Sequence, residues 1–196
     1  FYKQRVLPQK KNVRFIVIVD ESGSMAGMGE AGKDAAQNTA AKGYRTLMGV
    51  TLLMEVFEAL GIDFAVRGYY DTTHLHKRFK GQRIPPGKES EYLELGHDEV
   101  QDGYTTRREK EHLIDELHES IGRGGNNEGP ALAAAIRDAG EAGVEKVFII
   151  VITDGVGDVE AIKKQVEGLR KRNGMVGGTK VELIAVGRGS DCEAAV

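Results

Sequence analysis

A carboxylate and two hydroxyls alternate along Asp20-Glu21-Ser22-Gly23-Ser24, directly after the apolar, β-branched run Phe15-Ile16-Val17-Ile18-Val19. That run reads as a buried strand. A strand that ends in Asp-x-Ser-x-Ser delivers three hard oxygens to one sheet edge, where they converge if the chain turns tightly. Gly23 admits such a turn. Hard oxygens of low formal charge suit Mg²⁺, with Mn²⁺ as the alternative, better than they suit zinc. A second apolar run, residues 146–152, ends in Thr153-Asp154-Gly155 and sets another carboxylate at the end of a strand.

The elements that must position these groups follow from periodicity. Residues 1–13 are basic, contain Pro8, and read as an arm or linker; the domain proper is expected over 14–196. Strands are predicted over about 14–19, 64–70, 146–152 and 181–186, with 74–79 as the antiparallel partner of 64–70. Ala-rich composition suggests a helix over 34–42. Leu47, Val50, Met54 and Phe57, with Leu53 and Leu60 alongside, form one face of a helix over 44–60, which Gly61 stops. Further helices are predicted over 108–121, 131–139 and 159–171, with Pro130 in a first turn where its missing N–H is harmless. Residues 81–107 are the least regular stretch. Apolar strands alternating with amphipathic helices predict an α/β fold: a doubly wound, mostly parallel sheet with one antiparallel edge hairpin and helices on both faces. Such sheets bind ligands at the carboxyl ends of their strands, the rim that Asp20 and Asp154 would share.

The segment Asp20-Glu21-Ser22-Gly23-Ser24-Met25 followed by Asp154-Gly155 resembles the metal-ion-dependent adhesion site of von Willebrand factor A domains. The resemblance covers about 14–189 and implies a Rossmann-like A domain. It also implies a further metal oxygen from a loop of the Thr-x-Thr-Gly-x-Ala-Leu kind. The matching stretch here is Asn126-Asn127-Glu128-Gly129-Pro130-Ala131-Leu132, so Asn126 stands where the threonine is expected, and its side-chain carbonyl is still a hard acceptor. The implied metal set is Asp20, Ser22, Ser24, Asn126 and Asp154. The loop is similar to the Asn-x-Asp-Gly-x-Ala-Leu loop of the cobalt-chelatase accessory subunit. That branch of A domains works with AAA+ ATPases of the chelatase and MoxR kind. The implied function is metal-dependent protein recognition without catalysis, an Asp or Glu of a partner completing the metal shell. An adhesion-type receptor for an extracellular acidic ligand is the alternative.

Composition bounds the rest. A net charge of −3 supplies no basic field for nucleic acid or a membrane surface. Cys192 is the sole cysteine, which excludes an internal disulfide and a thiolate zinc site and favours a reducing, cytoplasmic setting. No stretch approaches the roughly 18 apolar residues of a membrane span. The start, Phe1-Tyr2-Lys3-Gln4, is no signal peptide and lacks Met, which suggests part of a larger protein. A phosphatase using Asp20 as nucleophile would need a second acid two residues on, where Ser22 stands, so no enzyme is expected. His74 and His76 would share one strand face, a conceivable zinc pair, but as residues of an edge hairpin they are expected to face solvent. Asp71 reads as an Asx-turn residue, with support of the rim as its alternative.

Overall fold

The computed structural model describes residues 12–25, 42–82, 107–154 and 158–187. The elements in chain order are β1 (Val13–Asp20), α1 (Lys42–Ala59), β2 (Phe64–Tyr69), β3 (Thr73–Lys77), α2 (Arg107–Ser120), α3 (Glu128–Glu141), β4 (Lys146–Thr153), α4 (Val159–Lys171), β5 (Met175–Val176) and β6 (Thr179–Gly187). They build one six-stranded sheet in the order β3-β2-β1-β4-β6-β5. β1 pairs in parallel with β2 on one side and β4 on the other, and β4 pairs in parallel with β6. The winding therefore reverses direction at β1, and the carboxyl ends of β1 and β4 flank the switch point where such sheets bind ligands.

Alternation along β1 sorts its side chains to two layers. Val17 and Val19 pack with Val50, Met54 and Phe57 of α1 and with Leu113 and Leu117 of α2. Ile16 and Ile18 pack with Ala131, Leu132 and Ala135 of α3 and with Ile162, Val166 and Leu169 of α4. The doubly wound α/β architecture expected from the sequence is thus the one observed, with helices on both faces. Leu60, placed on the buried face of α1 by its spacing, instead lies exposed beyond the helix end. α3 begins at Glu128, three residues before the expected start, with Pro130 inside its first turn. The predicted helix over 34–42 lies outside the described residues except for Lys42, as do most of the irregular stretch 81–107, Gly155 and Cys192.

Two findings depart from expectation at the sheet edges. A second antiparallel pair, β5 with β6, closes the far edge. Its two-residue β5 sits between glycine turns and carries no periodicity to detect. At the other edge, β3 is buried rather than solvated: His74, Leu75, His76 and Lys77 are all 5% exposed or less. α2 and α3 both pack against this strand, so its polar side chains must find partners inside the protein. Lys77 does so by donating from Nζ to the Phe64 carbonyl at 2.5 Å and lying over the Phe64 ring.

Arg67 of β2 faces α3 and is wholly buried against Asp138, which accepts from Nε at 2.8 Å and from the guanidinium end at 2.5 Å. Removing one member of a buried ion pair strands the other charge. Asp138→Ala is therefore expected to cost about 3–5 kcal/mol of stability in urea unfolding. Joint replacement by Arg67→Met and Asp138→Leu should recover most of that loss; a double variant as unstable as the single one would contradict this assignment.

Candidate metal site

Backbone register assembles the rim. Val19 stands opposite Ile152 in the β1–β4 pairing, so Asp20 comes to rest beside Thr153. The Thr153 hydroxyl donates to Asp20 Oδ2 at 3.0 Å, and the Ser22 amide donates to Asp20 Oδ1 at 2.9 Å. Both carboxylate oxygens are thereby oriented inside a fully buried environment. The chain then folds into a single 3-10 turn, Gly23–Met25, with Met25 buried as its anchor. Gly23 is required by proximity rather than by an unusual backbone angle: its N–H donates to the Gly124 carbonyl at 3.1 Å, and an added Cβ would press on that oxygen at 3.2 Å.

The turn lines up the predicted donors. The hydroxyls of Ser22 and Ser24 share a hydrogen bond of 2.9 Å, and Ser24 donates onward to Asp154 Oδ1 at 3.1 Å. Ser22, Ser24 and Asp154 thus form a chain of hydrogen-bonded oxygens, tied to Asp20 through the Ser22 amide. The loop between α2 and α3, which carries Asn126, meets this rim through Gly124, whose carbonyl accepts from Gly23. That loop is held by Asp71, which accepts from the Gly125 amide at 2.7 Å through Oδ1 and from Asn127 Nδ2 at 3.0 Å through its carbonyl. Gly124, at φ +54°, leaves room for the Asp71 carboxylate where any side chain would collide with it. Asp71 therefore supports the rim.

Lys42, at the start of α1, was not foreseen here. Its ammonium lies 2.7 Å from Asp154 Oδ2 and 3.4 Å from the Ser24 carbonyl. An ammonium thus forms an ion pair with one carboxylate of this oxygen cluster. Tyr69 closes the site from below. Burial, then the carboxylates of Glu128 and Asp20, push its phenol far above the ordinary range and keep it neutral.

Glu21, between two rim residues, points to the opposite face and is fully buried. His76 Nε2 donates to its Oε1 at 2.5 Å, and His74 Nε2 lies 2.6 Å from its Oε2. Glu116 of α2 stands 3.7 Å from the other nitrogen of His76. The expectation that His74 and His76 face solvent is wrong because this acid draws them inward. Burial alone would depress the His76 imidazolium, but Glu21 and Glu116 outweigh it and hold its pKa up at about 9. Burial would raise Glu21, yet His76 and His74 keep it below 4.5. The sequence signal was present in the His-x-His spacing; what it lacked was the buried acid opposite.

The sequence matches no protein-family model and no curated protein. Solved structures do resemble the fold. BatB from Bacteroides thetaiotaomicron aligns over 89% of this chain and 66% of its own, with TM-score 0.52 and 16% identity. The PilB minor pilin from Streptococcus sanguinis aligns over 99% and 61%, with TM-score 0.56 and 11% identity. A von Willebrand factor type A protein from Catenulispora acidiphila aligns over 94% and 37%, with TM-score 0.50 and 14% identity. The chain thus spans less than two thirds of the length of each. At such identities the likeness is one of fold, and the fold is von Willebrand factor A-like.

Two outcomes follow. Removing the exposed Lys42 ammonium by Lys42→Met frees Asp154 and should tighten Mg²⁺ binding by up to about fivefold in calorimetric titration; weaker binding would show that Lys42 assists the cation. In EDTA-treated protein, the raised His76 pKa means that its stabilisation is complete below 6.5 and is lost as pH climbs to about 9. Lys77 works in the opposite sense, since burial lowers it from 10.5 to about 8 and the unfolded chain holds more protons between those values. The urea midpoint should therefore fall from pH 6.5 to 8, hold level between 8 and 9 where the two effects offset, and rise above 9, and His76→Gln should flatten the first part of that curve.

Proposed function

We propose that this chain is a metal-dependent protein-interaction module in which Asp20, Ser22, Ser24, Asn126 and Asp154 hold Mg²⁺, or Mn²⁺, and a partner's Asp or Glu completes the coordination. The observation that carries the reading is the convergence of Asp20, Ser22, Ser24 and Asp154 at the switch point: the Ser22 amide donates to Asp20, and the Ser22 and Ser24 hydroxyls are hydrogen-bonded in series to Asp154. An ion held there by neutral hydroxyls and few carboxylates stays electrophilic toward an added carboxylate. The chain's own residues do the remaining work. Thr153 and the Ser22 amide aim Asp20, Met25 anchors the turn, and Asp71 holds the Asn126 loop against it.

The partner we infer is an AAA+ ATPase of the chelatase or MoxR kind, or its substrate, in a cytoplasmic setting. The Asn126-x-Glu128-Gly129 loop, similar to that branch of A domains, supports this choice. A second reading, an adhesion-type receptor for an extracellular acidic ligand, draws on the minor pilin among the structural neighbours. Catalysis with Asp20 as phosphoryl acceptor is disfavoured because a second acid two residues on, needed to protonate the leaving group, is replaced by Ser22.

The test is affinity purification from the parent cells in Mg²⁺ or in EDTA, with wild-type protein and with Asp154→Ala. An AAA+ ATPase retained only by the wild type in Mg²⁺ is the expected result. A cell-surface or matrix protein retained under the same conditions would favour the adhesion reading instead. Capture that is indifferent to both EDTA and the substitution would overturn metal-dependent recognition.

A further inference from the structure

Beneath the rim lies a second cluster that the proposed recognition mechanism does not use. Glu21, His74 and His76 are each 2% exposed or less, and one ligand atom from each lies within 4.8 Å of the other two. We propose that these three residues form a buried Zn²⁺ site, separate from the rim, that fastens the end of β1 to β3.

Four observations support it. Two imidazole nitrogens and one carboxylate oxygen are a borderline donor set, matched to zinc rather than to the Mg²⁺ that the all-oxygen rim suits. His74 is the telling member. Its Nε2 lies 2.6 Å from Glu21 Oε2, and its buried Nδ1 has no hydrogen-bond partner among the described residues. A buried imidazole nitrogen without a hydrogen bond is costly, and a cation that takes up a lone pair of the ring removes part of that cost. Space is also reserved: Gly68 of β2 sits where any side chain would run into the Glu21 carboxylate. Finally, Glu116 stands beside the far nitrogen of His76, the position from which a carboxylate orients a metal-bound histidine.

Charge balance points the same way. Glu21 and Glu116 bring two negative charges to a cluster flanked on α2 by buried Leu113 and Leu117. A divalent cation between the two rings, whose centres stand 4.8 Å apart, would offset that charge. Ligand atoms around tetrahedral zinc stand about 3.3 Å apart, so the Glu21 oxygens, now 2.5 and 2.6 Å from the two Nε2 atoms, must draw back by under about 1 Å to admit the ion.

The experiment uses the full chain carrying Asp154→Ala, so that the rim cannot supply the binding. The protein is loaded with Zn²⁺, dialysed, and examined by elemental analysis and zinc K-edge absorption. One retained ion per chain with two imidazole ligands is expected; no retained zinc, or a shell of oxygens alone, overturns the proposal. Adding His74→Ala should abolish stoichiometric retention, and Glu116→Gln should weaken zinc about 10- to 100-fold. Zinc retention that is unchanged by His74→Ala would equally refute it. If that variant does not fold, the absorption spectrum of the parent protein still decides. Failure of Mg²⁺-dependent recognition at the rim would leave this outcome untouched, because the two sites share no ligand.

Discussion

Glu21 carries a carboxylate into the interior one residue beyond the end of β1, and an ion there persists only when opposite charge or donors surround it. Much of the neighbouring architecture follows from satisfying it. β3 turns two histidines inward instead of presenting a polar edge to water, and β2 gives up a side chain at Gly68. The Glu21 backbone is equally engaged. Its N–H donates to the Tyr69 carbonyl, and its carbonyl accepts from the amides of Gly122 and Arg123 at 2.9 Å. Those last two bonds fix the start of the loop that carries Asn126. One acid thus connects β1, β2, β3 and the connection from α2 to α3.

The rim is the reverse side of the same alternation. Extended backbone sends neighbouring side chains to opposite faces. Asp20 and Ser22 therefore present oxygens to the switch point while Glu21 points beneath it. Position along the strand determines which chemistry each face collects: the upper face gathers hydroxyls and carboxylates, and the lower gathers imidazoles. Neither set needs a long loop to converge, because parallel register with β4 already places Thr153 beside Asp20.

The parts of this arrangement that were legible in the sequence are those governed by periodicity. The apolar runs of β1 and β4, the helical spacing of Val50, Met54 and Phe57, and the strand-end position of Asp20 and Asp154 are local patterns with one physical reading each. What escaped prediction depends on partners distant in sequence. Nothing near Lys42 announces that its ammonium reaches a carboxylate 112 residues away. His74 and His76 look like solvated edge residues until Glu21 and the covering helix α2 are in place. Asp71 is an ordinary turn residue by composition, and only the Gly124–Gly125 backbone against it makes it a brace. β5 is too short to carry any pattern.

Because Glu21 lies between Asp20 and Ser22, the two faces share one short stretch of backbone while sharing no side chain. Whatever fixes the Glu21 carboxylate, whether protons on the histidines or a cation between them, also fixes the backbone that aims the rim oxygens. A rim already aimed would lose less conformational freedom on engaging the proposed ion, so ordering below would favour engagement above. The relation holds in both directions, since a change in affinity at one site caused by the other must be returned equally. The distance involved is a single residue, so the coupling requires no long relay through the core. It requires only that the short turn after β1 move as a unit. The bond from Gly23 to Gly124 and the burial of Met25 give it the anchors to do so.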